Sequence, residues 1–289
     1  MNNFDAVICV GVKDIFIVKK TVCYVNLHIK PQRTYLVLNH RFFRFFSEKF
    51  LAEQRVTLLD ESTLVLGMNI HVVQRLVGAH FPQGMRAGWY FQQFLKMGFA
   101  MSQWASDYYL VWDADTIPTS DISFFSPDGK MLLAQKTEYH RAYFETMERL
   151  IGLGKTVNFS FIAEHMIFKT SYMRELIDRI SSPEFRGKKN SKWYETVIEA
   201  INPKDGLGFS EFETYGTFVH TFHRCDIEYR TLHTMRRAGF LFGRSMKDYE
   251  IKEFDGVTDT ISLEAGHMPR FPRNIFQYVQ LAFLRLLKP

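Results

Sequence analysis

The sequence is poor in cysteine. It holds three, Cys9, Cys23 and Cys225, an odd number with no Cys-x-x-Cys pair among them. That argues against a disulfide framework and against a structural zinc site, and makes a reducing cytoplasm the expected setting. It also lacks a concentrated basic run. A formal net charge of +5 over 289 residues is too mild for a nucleic-acid reader, which carries a dense Lys/Arg stripe. The same charge suits an anionic small substrate or an acidic membrane surface. No stretch reaches the roughly 18 uninterrupted apolar residues of a membrane span. Met1-Asn2-Asn3-Phe4-Asp5 has neither the basic start nor the apolar run of a signal peptide. Internal repeats and low-complexity segments are missing as well.

What is present is a core-forming composition, 46% hydrophobic and 23% charged, with 16% aromatic residues including 28 Phe. So much aromatic surface leaves some for contacts outside the core. Phe4 to Val10 reads as a buried strand, and Asp14 as the cap of a helix running to about His28. Tyr35 to Leu38 reads as a strand, Phe42 to Ala52 as a helix, and Val56 to Leu59 as a strand ending at Asp60. Such alternation predicts a parallel α/β sheet. The next helix spans about Gly88 to Trp104. Tyr90, Phe94, Met97, Met101 and Trp104 recur on one face, with Gln92, Gln93 and Lys96 on another side. Tyr108 to Trp112 follows as a strand, then Met131 to Gln135, then Asn158 to Phe168 beside a site. Tyr172 to Ile180 is a helix, and Ser181 to Lys192 is a candidate mobile loop. The second half reads as an elaboration of the same sheet. The expected organisation is one domain over residues 1–274, then a C-terminal amphipathic helix over 275–289.

The chemistry gathers at Trp112-Asp113-Ala114-Asp115. In open α/β sheets, ligands bind at the carboxyl ends of strands. Two carboxylates placed there can meet Mg²⁺ or Mn²⁺, hard cations that keep waters and bridge to phosphates. The bland reading is a turn, since Asp favours turn positions. A haloacid-dehalogenase-type phosphatase pattern, Asp-x-Asp-x-Thr, is the chemical rival. Here Ile117 stands where that threonine belongs, and Thr116 is one place early.

Three segments carry a resemblance: Gly88-Trp89-Tyr90-Phe91-Gln92-Gln93-Phe94-Leu95-Lys96, Tyr109-Leu110-Val111-Trp112-Asp113-Ala114-Asp115-Thr116, and Phe209-Ser210-Glu211-Phe212-Glu213-Thr214-Tyr215-Gly216. Together they resemble a family of bacterial GT-A-type glycosyltransferases long known only as a domain of unknown function. Its members tend to be associated with synthesis of surface polysaccharide such as O-antigen or capsule. The resemblance implies a GT-A (Rossmann-like) α/β fold with a mainly parallel central sheet flanked by helices. It implies an enzyme moving a sugar from a nucleotide-sugar donor, a UDP-sugar above all, to a glycan or lipid-linked oligosaccharide acceptor.

Roles follow from that resemblance. Asp113 and Asp115 would hold Mn²⁺ or Mg²⁺, with a late histidine, His267, as the further ligand; His220, His223 and His233 are its competitors. Lys13, Asp60 and Lys96 would hold the nucleotide diphosphate together with Asp113. Glu164 and His165, polar on an otherwise apolar strand, would contact the transferred sugar. An acidic residue at a helix start would be the general base of an inverting transfer. Glu211 is placed first and Glu213 second, because Ser210 and Glu213 have capping-box spacing, which would occupy Glu213. The bland alternative is that both glutamates complement the helix dipole.

Ile275 to Leu287 is apolar with Arg270, Arg273, Arg285 and Lys288 around it. It reads as a helix docked on the core or on a second subunit of a homo-oligomer, or as one lying on a membrane interface. Peripheral placement at the inner face of the cytoplasmic membrane would then follow. Two other functions compete with glycosyl transfer: a metal-dependent phosphohydrolase, and a catalytically inactive glycan-binding partner in polysaccharide assembly.

Overall fold

A computed structural model describes residues 3–81, 86–182, 184 and 192–286. The chain runs β1 (Asp5–Cys9), α1 (Val18–His28), β2 (Thr34–Leu38), α2 (Glu48–Glu53), β3 (Val56–Asp60), α3 (Ile70–His80) and α4 (Ala87–Gly98). It continues through β4 (Tyr108–Trp112), β5 (Thr116–Pro118), β6 (Met131–Ala134), α5 (Arg141–Ile151), β7 (His165–Lys169), α6 (Thr170–Ile180), α7 (Trp193–Ala200) and α8 (Glu211–Phe222). The last elements are β8 (Ile227–Arg230), β9 (Thr234–Met235), α9 (Ala238–Phe242), α10 (Asp248–Lys252), β10 (Thr260–Ser262) and α11 (Arg273–Leu286).

This is an α/β protein with a mainly parallel central sheet flanked by helices. Five strands run in the order β3-β2-β1-β4-β7. β1 and β2 pair in parallel with Ala6 opposite Thr34 and Cys9 opposite Val37. Both are buried along their whole length, which is why they read as continuous apolar runs rather than alternating ones. The sequence suggested that the second half elaborates that sheet; β7 does extend it, but the other later strands do not. β5, β10 and β9 form a separate mixed sheet, and β6 and β8 a parallel pair.

The chain packs as two compact units. One is built from Asp60–Val111 and Phe125–Arg230, the other from Asn3–Leu59, Trp112–Phe124 and the segment from Thr231 onward. In the first, α4 is buried on nearly every side, with Gln93 and Lys96 as hidden as Tyr90 and Phe94. The expected polar side of this helix is therefore an interior side. Phe94 meets the rings of Trp193, Tyr194 and Phe209 at 5.4–6.3 Å. Each such buried ring contributes on the order of 2–3 kcal/mol by area removed from water. In the second, Ile17, Ile117, Ala238, Met246, Ile251, Ile261 and Leu263 form one cluster.

Several elements differ from expectation. α1 starts at Val18, not after Asp14, because Val12–Asp14 is a short 3₁₀ turn and the Asp14 carboxylate is drawn to Arg244. The helix expected over Phe42 to Ala52 breaks in two: a 3₁₀ segment to Phe45, then α2, capped by Ser47 Oγ accepting from Phe50 N. α4 ends at Gly98 and a 3₁₀ turn follows to Met101, so Trp104 lies outside it. Only His165–Lys169 of the expected strand from Asn158 is a strand. α3 was not foreseen. Most of the expected loop at Ser181 to Lys192, namely 183 and 185–191, lies outside the described residues.

Candidate functional site

The acidic turn sits in the second unit, where β4 gives out. Its three carbonyls are all engaged. Asp113 O accepts from Thr116 N, Ala114 O from Thr21 Oγ1 at 2.7 Å, and Asp115 O from Leu263 N at 2.8 Å. Trp112 Nε1 donates across the turn to Thr116 O at 2.7 Å. The carbonyls make the turn that the bland reading expects. Asp113 and Asp115 are each partly buried.

Asp115 is pushed up to about 7, first by burial, then by the negative charges of Asp14 and Asp113, against the opposing pull of Arg244 and Lys13. Five charged groups therefore share one neighbourhood: three carboxylates and two cations. Asp14 is held by Arg244, whose Nη2 donates to Oδ1 at 2.5 Å while Nη1 donates to Lys13 O at 2.6 Å. Lys13 itself is exposed. Among the described residues, no three His, Cys, Asp or Glu side chains form a ready metal cage. A Mg²⁺- or Mn²⁺-type site does not need one, since such ions take one or two carboxylates and complete their shell with water and phosphate. The donor set, two hard carboxylates in mutual repulsion beside a third, fits a divalent cation.

His267 is not drawn into a three-ligand group. Its ring packs tilted against Phe240 with centroids 4.3 Å apart, Nε2 lies 3.8 Å from Glu264, and Nδ1 is buried without a hydrogen-bond partner. Of its competitors, His220 bonds Tyr229 and His223 bonds Glu175.

The first unit holds the other candidates. Lys96 Nζ lies 2.7 Å from Glu211 Oε1, both deeply buried. The lysine expected to reach a phosphate is thus engaged by the residue expected to be a base. Glu211 N donates to Gln93 Oε1 at 3.0 Å, and Tyr90 Oη ties the preceding turn, donating to Gly206 O and accepting from Gly208 N. The capping box is half made. Ser210 Oγ accepts from Glu213 N, but the Glu213 carboxylate turns away from the cap. Its Oε2 accepts from Ser160 Oγ at 2.7 Å and Phe161 N at 3.0 Å, while Oε1 is buried with no partner. Burial raises the Glu213 carboxyl above the ordinary range, against the lowering effect of those two bonds. Tyr143, pushed up to about 12 by burial, also feels the charges of Glu211 and Glu213.

Glu164 and His165 are both buried at the start of β7. Lys136 Nζ lies 3.4 Å from Glu164. Burial, then the charges of Arg230 and Lys136, holds His165 well below the usual imidazole range. Asp60 closes the turn after β3, with Oδ1 accepting from Ser62 N at 3.0 Å.

Sequence reasoning missed Arg244, Lys136 and Ser160, and took Asp14 for a helix cap. No local signal marks them, because each acts through a partner between 28 and 230 residues away.

No curated protein matches this chain in sequence. Solved structures similar to it include the galactosyltransferase LgtC in complex with donor and acceptor sugar analogues. It is 12% identical over 98% of this chain and 96% of that one, with a TM-score of 0.48. Mouse xyloside xylosyltransferase 1 in its apo form is 12% identical over 90% of this chain and 97% of that one, TM-score 0.48. Core-mannan synthase A from Aspergillus fumigatus, in its Mn/GDP form, is 8% identical over 79% and 73%, TM-score 0.40. Those scores are too low to carry an argument about this chain. The model of a family of unknown function, DUF6492, matches residues 23–252, and the chain belongs to that family.

Proposed function

We propose that this protein is a metal-dependent glycosyltransferase of the GT-A type, moving a sugar from a nucleoside-diphosphate donor to a hydroxyl of a glycan acceptor. The observation that carries the reading is the Asp113–Asp115 turn at the end of β4, where burial, and then the charges of Asp14 and Asp113, lift Asp115 to about 7. Carboxylates crowded in this way resist ionising together. A divalent cation relieves the repulsion, and Lys13 and Arg244 add positive charge beside it. Asp113 and Asp115 would hold Mg²⁺ or Mn²⁺, and the ion would stabilise charge on a departing diphosphate. His267 remains the proposed further ligand, supported by its buried, unpartnered Nδ1.

For the acceptor, a carboxylate must take the hydroxyl proton if the transfer inverts. What supports Glu213 is its uncommitted Oε1 and its raised proton affinity; Glu211 must first leave Lys96. The order between the two is thus reversed from the sequence expectation. Lys13 is the proposed diphosphate contact, with Asp60 a ribose or base contact and Glu164 and His165 contacts of the sugar. A UDP-sugar donor and a bacterial surface glycan as acceptor complete the reading.

A thermal-shift screen of nucleotide sugars with and without Mn²⁺ tests it. We expect one donor to raise Tm only when the metal is present, and Asp115→Asn to abolish that rise. No stabilisation by any donor would defeat the proposal. Phosphate release from simple esters without sugar transfer would favour the phosphohydrolase instead. Glu213→Gln should lower kcat by about 10²–10⁴ if Glu213 is the base; the same loss in Glu211→Gln alone would move the role back.

A further inference from the structure

α11 is mounted with its apolar side facing out. The residues that attach its first two turns are polar, and further along the Phe283 ring meets Phe16 at 6.3 Å between centroids. Arg273 Nη1 donates to Phe242 O at 3.0 Å, and the same guanidinium pairs with Glu250. Gln277, 3% exposed, accepts from Arg244 N at 3.1 Å through Oε1 and donates from Nε2 to His267 O at 2.7 Å. On the other side stand Phe276, Tyr278, Val279 and Leu286, 60–82% exposed, with Ile275 and Phe283 about half exposed. Next to the helix start, Phe271 is 76% exposed. A helix docked on a protein core normally shows the opposite arrangement. Scattered exposed apolar residues need no explanation, but a contiguous row along one helix marks an interaction surface.

The charge around this row selects its occupant. From Ala265 to Pro289 the sequence has four Lys/Arg and no Asp or Glu. Arg270 is exposed beside Phe271, and Arg236 and Arg237 are exposed just before α9, whose Phe240 and Leu241 are exposed too. Apolar and aromatic side chains interleaved with cations fit an acidic lipid surface, where apolar burial and attraction to anionic headgroups add. A second copy of this chain would bring the same cations against one another, a like-charge contact that opposes association.

We infer that the outward face of α11, with Phe271 and the exposed end of α9, seats on the surface of an anionic lipid bilayer. The helix lies in the interface plane. Among the described residues, no helix is long and apolar enough to cross a membrane. The inference does not depend on the reaction proposed above.

The test is sedimentation of the full chain with vesicles of phosphatidylcholine alone and of phosphatidylcholine with phosphatidylglycerol. The expected result is partition onto the anionic vesicles, weakened by added salt. Phe276→Ser/Val279→Ser should lower that partition by about tenfold or more. Both side chains face solvent, so Tm and the far-ultraviolet circular dichroism should stay unchanged. Equal binding to both vesicle types would overturn the electrostatic part. Absence of binding, or undiminished binding by the double variant, would overturn the whole. So would a parent dimer in analytical ultracentrifugation that the double variant converts to monomer without any vesicle binding, since a second copy would then be the occupant.

Discussion

Lys96 and Glu211 form an ion pair closed to solvent from both sides, Nζ to Oε1 2.7 Å, with side chains 6% and 5% exposed. The ammonium also lies 4.5 Å from the centre of the Phe212 ring. Removing one partner leaves a buried charge uncompensated, at a cost of about 3–5 kcal/mol, whereas replacing both by apolar groups is often neutral. Lys96→Met should therefore be strongly destabilised in urea titrations, and Lys96→Met/Glu211→Leu should regain most of the loss. A single variant as stable as the parent would show that the pair is not held as described.

The acidic turn has its own pH signature. Asp115 rises from 3.8 to about 7 in the folded protein. A carboxyl raised in this way keeps its proton in the native state where the unfolded chain has lost it. Its contribution is thus fully present below pH 3.8 and is lost as pH climbs through 7. Metal-free Asp115→Asn should consequently be more stable than the parent at pH 8, by about 1–2 kcal/mol after discounting for partial solvent exposure. Saturating Mn²⁺ should stabilise the parent and not the variant. Calorimetry at pH 5 and pH 8 with and without metal checks both, and a parent no less stable than the variant at pH 8 would contradict the crowding.

His165 supplies the opposite sign. Its imidazole is held well below 6.5 by burial and by Arg230 and Lys136, so the native state refuses a proton that the unfolded chain accepts below pH 6.5. The stability this confers is present above 6.5 and drains away as pH falls towards the depressed native value. The parent should lose Tm between pH 6.5 and 5 more steeply than His165→Gln. Parallel Tm curves would reject that origin.

Gly216 lies inside α8, where alanine would ordinarily gain about 1 kcal/mol. A Cβ there would meet Phe161 Cγ at 2.3 Å, and Phe161 is fully buried. Overpacking of this kind costs about 1–3 kcal/mol. Gly216→Ala should therefore be net destabilised, and a rise in Tm would show that Phe161 can yield.

How legible all this was depended on distance along the chain. Tyr108–Trp112 could be bounded to the residue because a short apolar run ends in two aspartates and nothing remote is needed to define it. Asp14 was misread because its partner Arg244 is 230 residues away. Glu213 has ideal capping-box spacing, and half of that box exists, but Ser160 and Phe161 outbid the cap for its carboxylate. α4 misled for another reason. Its periodicity correctly marked Tyr90, Phe94 and Met97 as interior, and it could not show that Gln93 and Lys96 were interior too, since polar groups enter a core only with partners such as Glu211.

The polar mounting of α11 has a consequence for orientation. Apolar contacts tolerate sliding and rolling, because any close packing serves. Hydrogen bonds from Arg244 N to Gln277, from Gln277 to His267 O, and from Arg273 to Phe242 O are satisfied at one rotation and one height only. Arg244 in turn grips Asp14 and Lys13 O. The greasy row is thus indexed, like a keyed plug, to the carboxylates of the acidic turn. A molecule resting on that row would present those carboxylates at a fixed height and tilt, so that reach to an acceptor is set by pose and not by search.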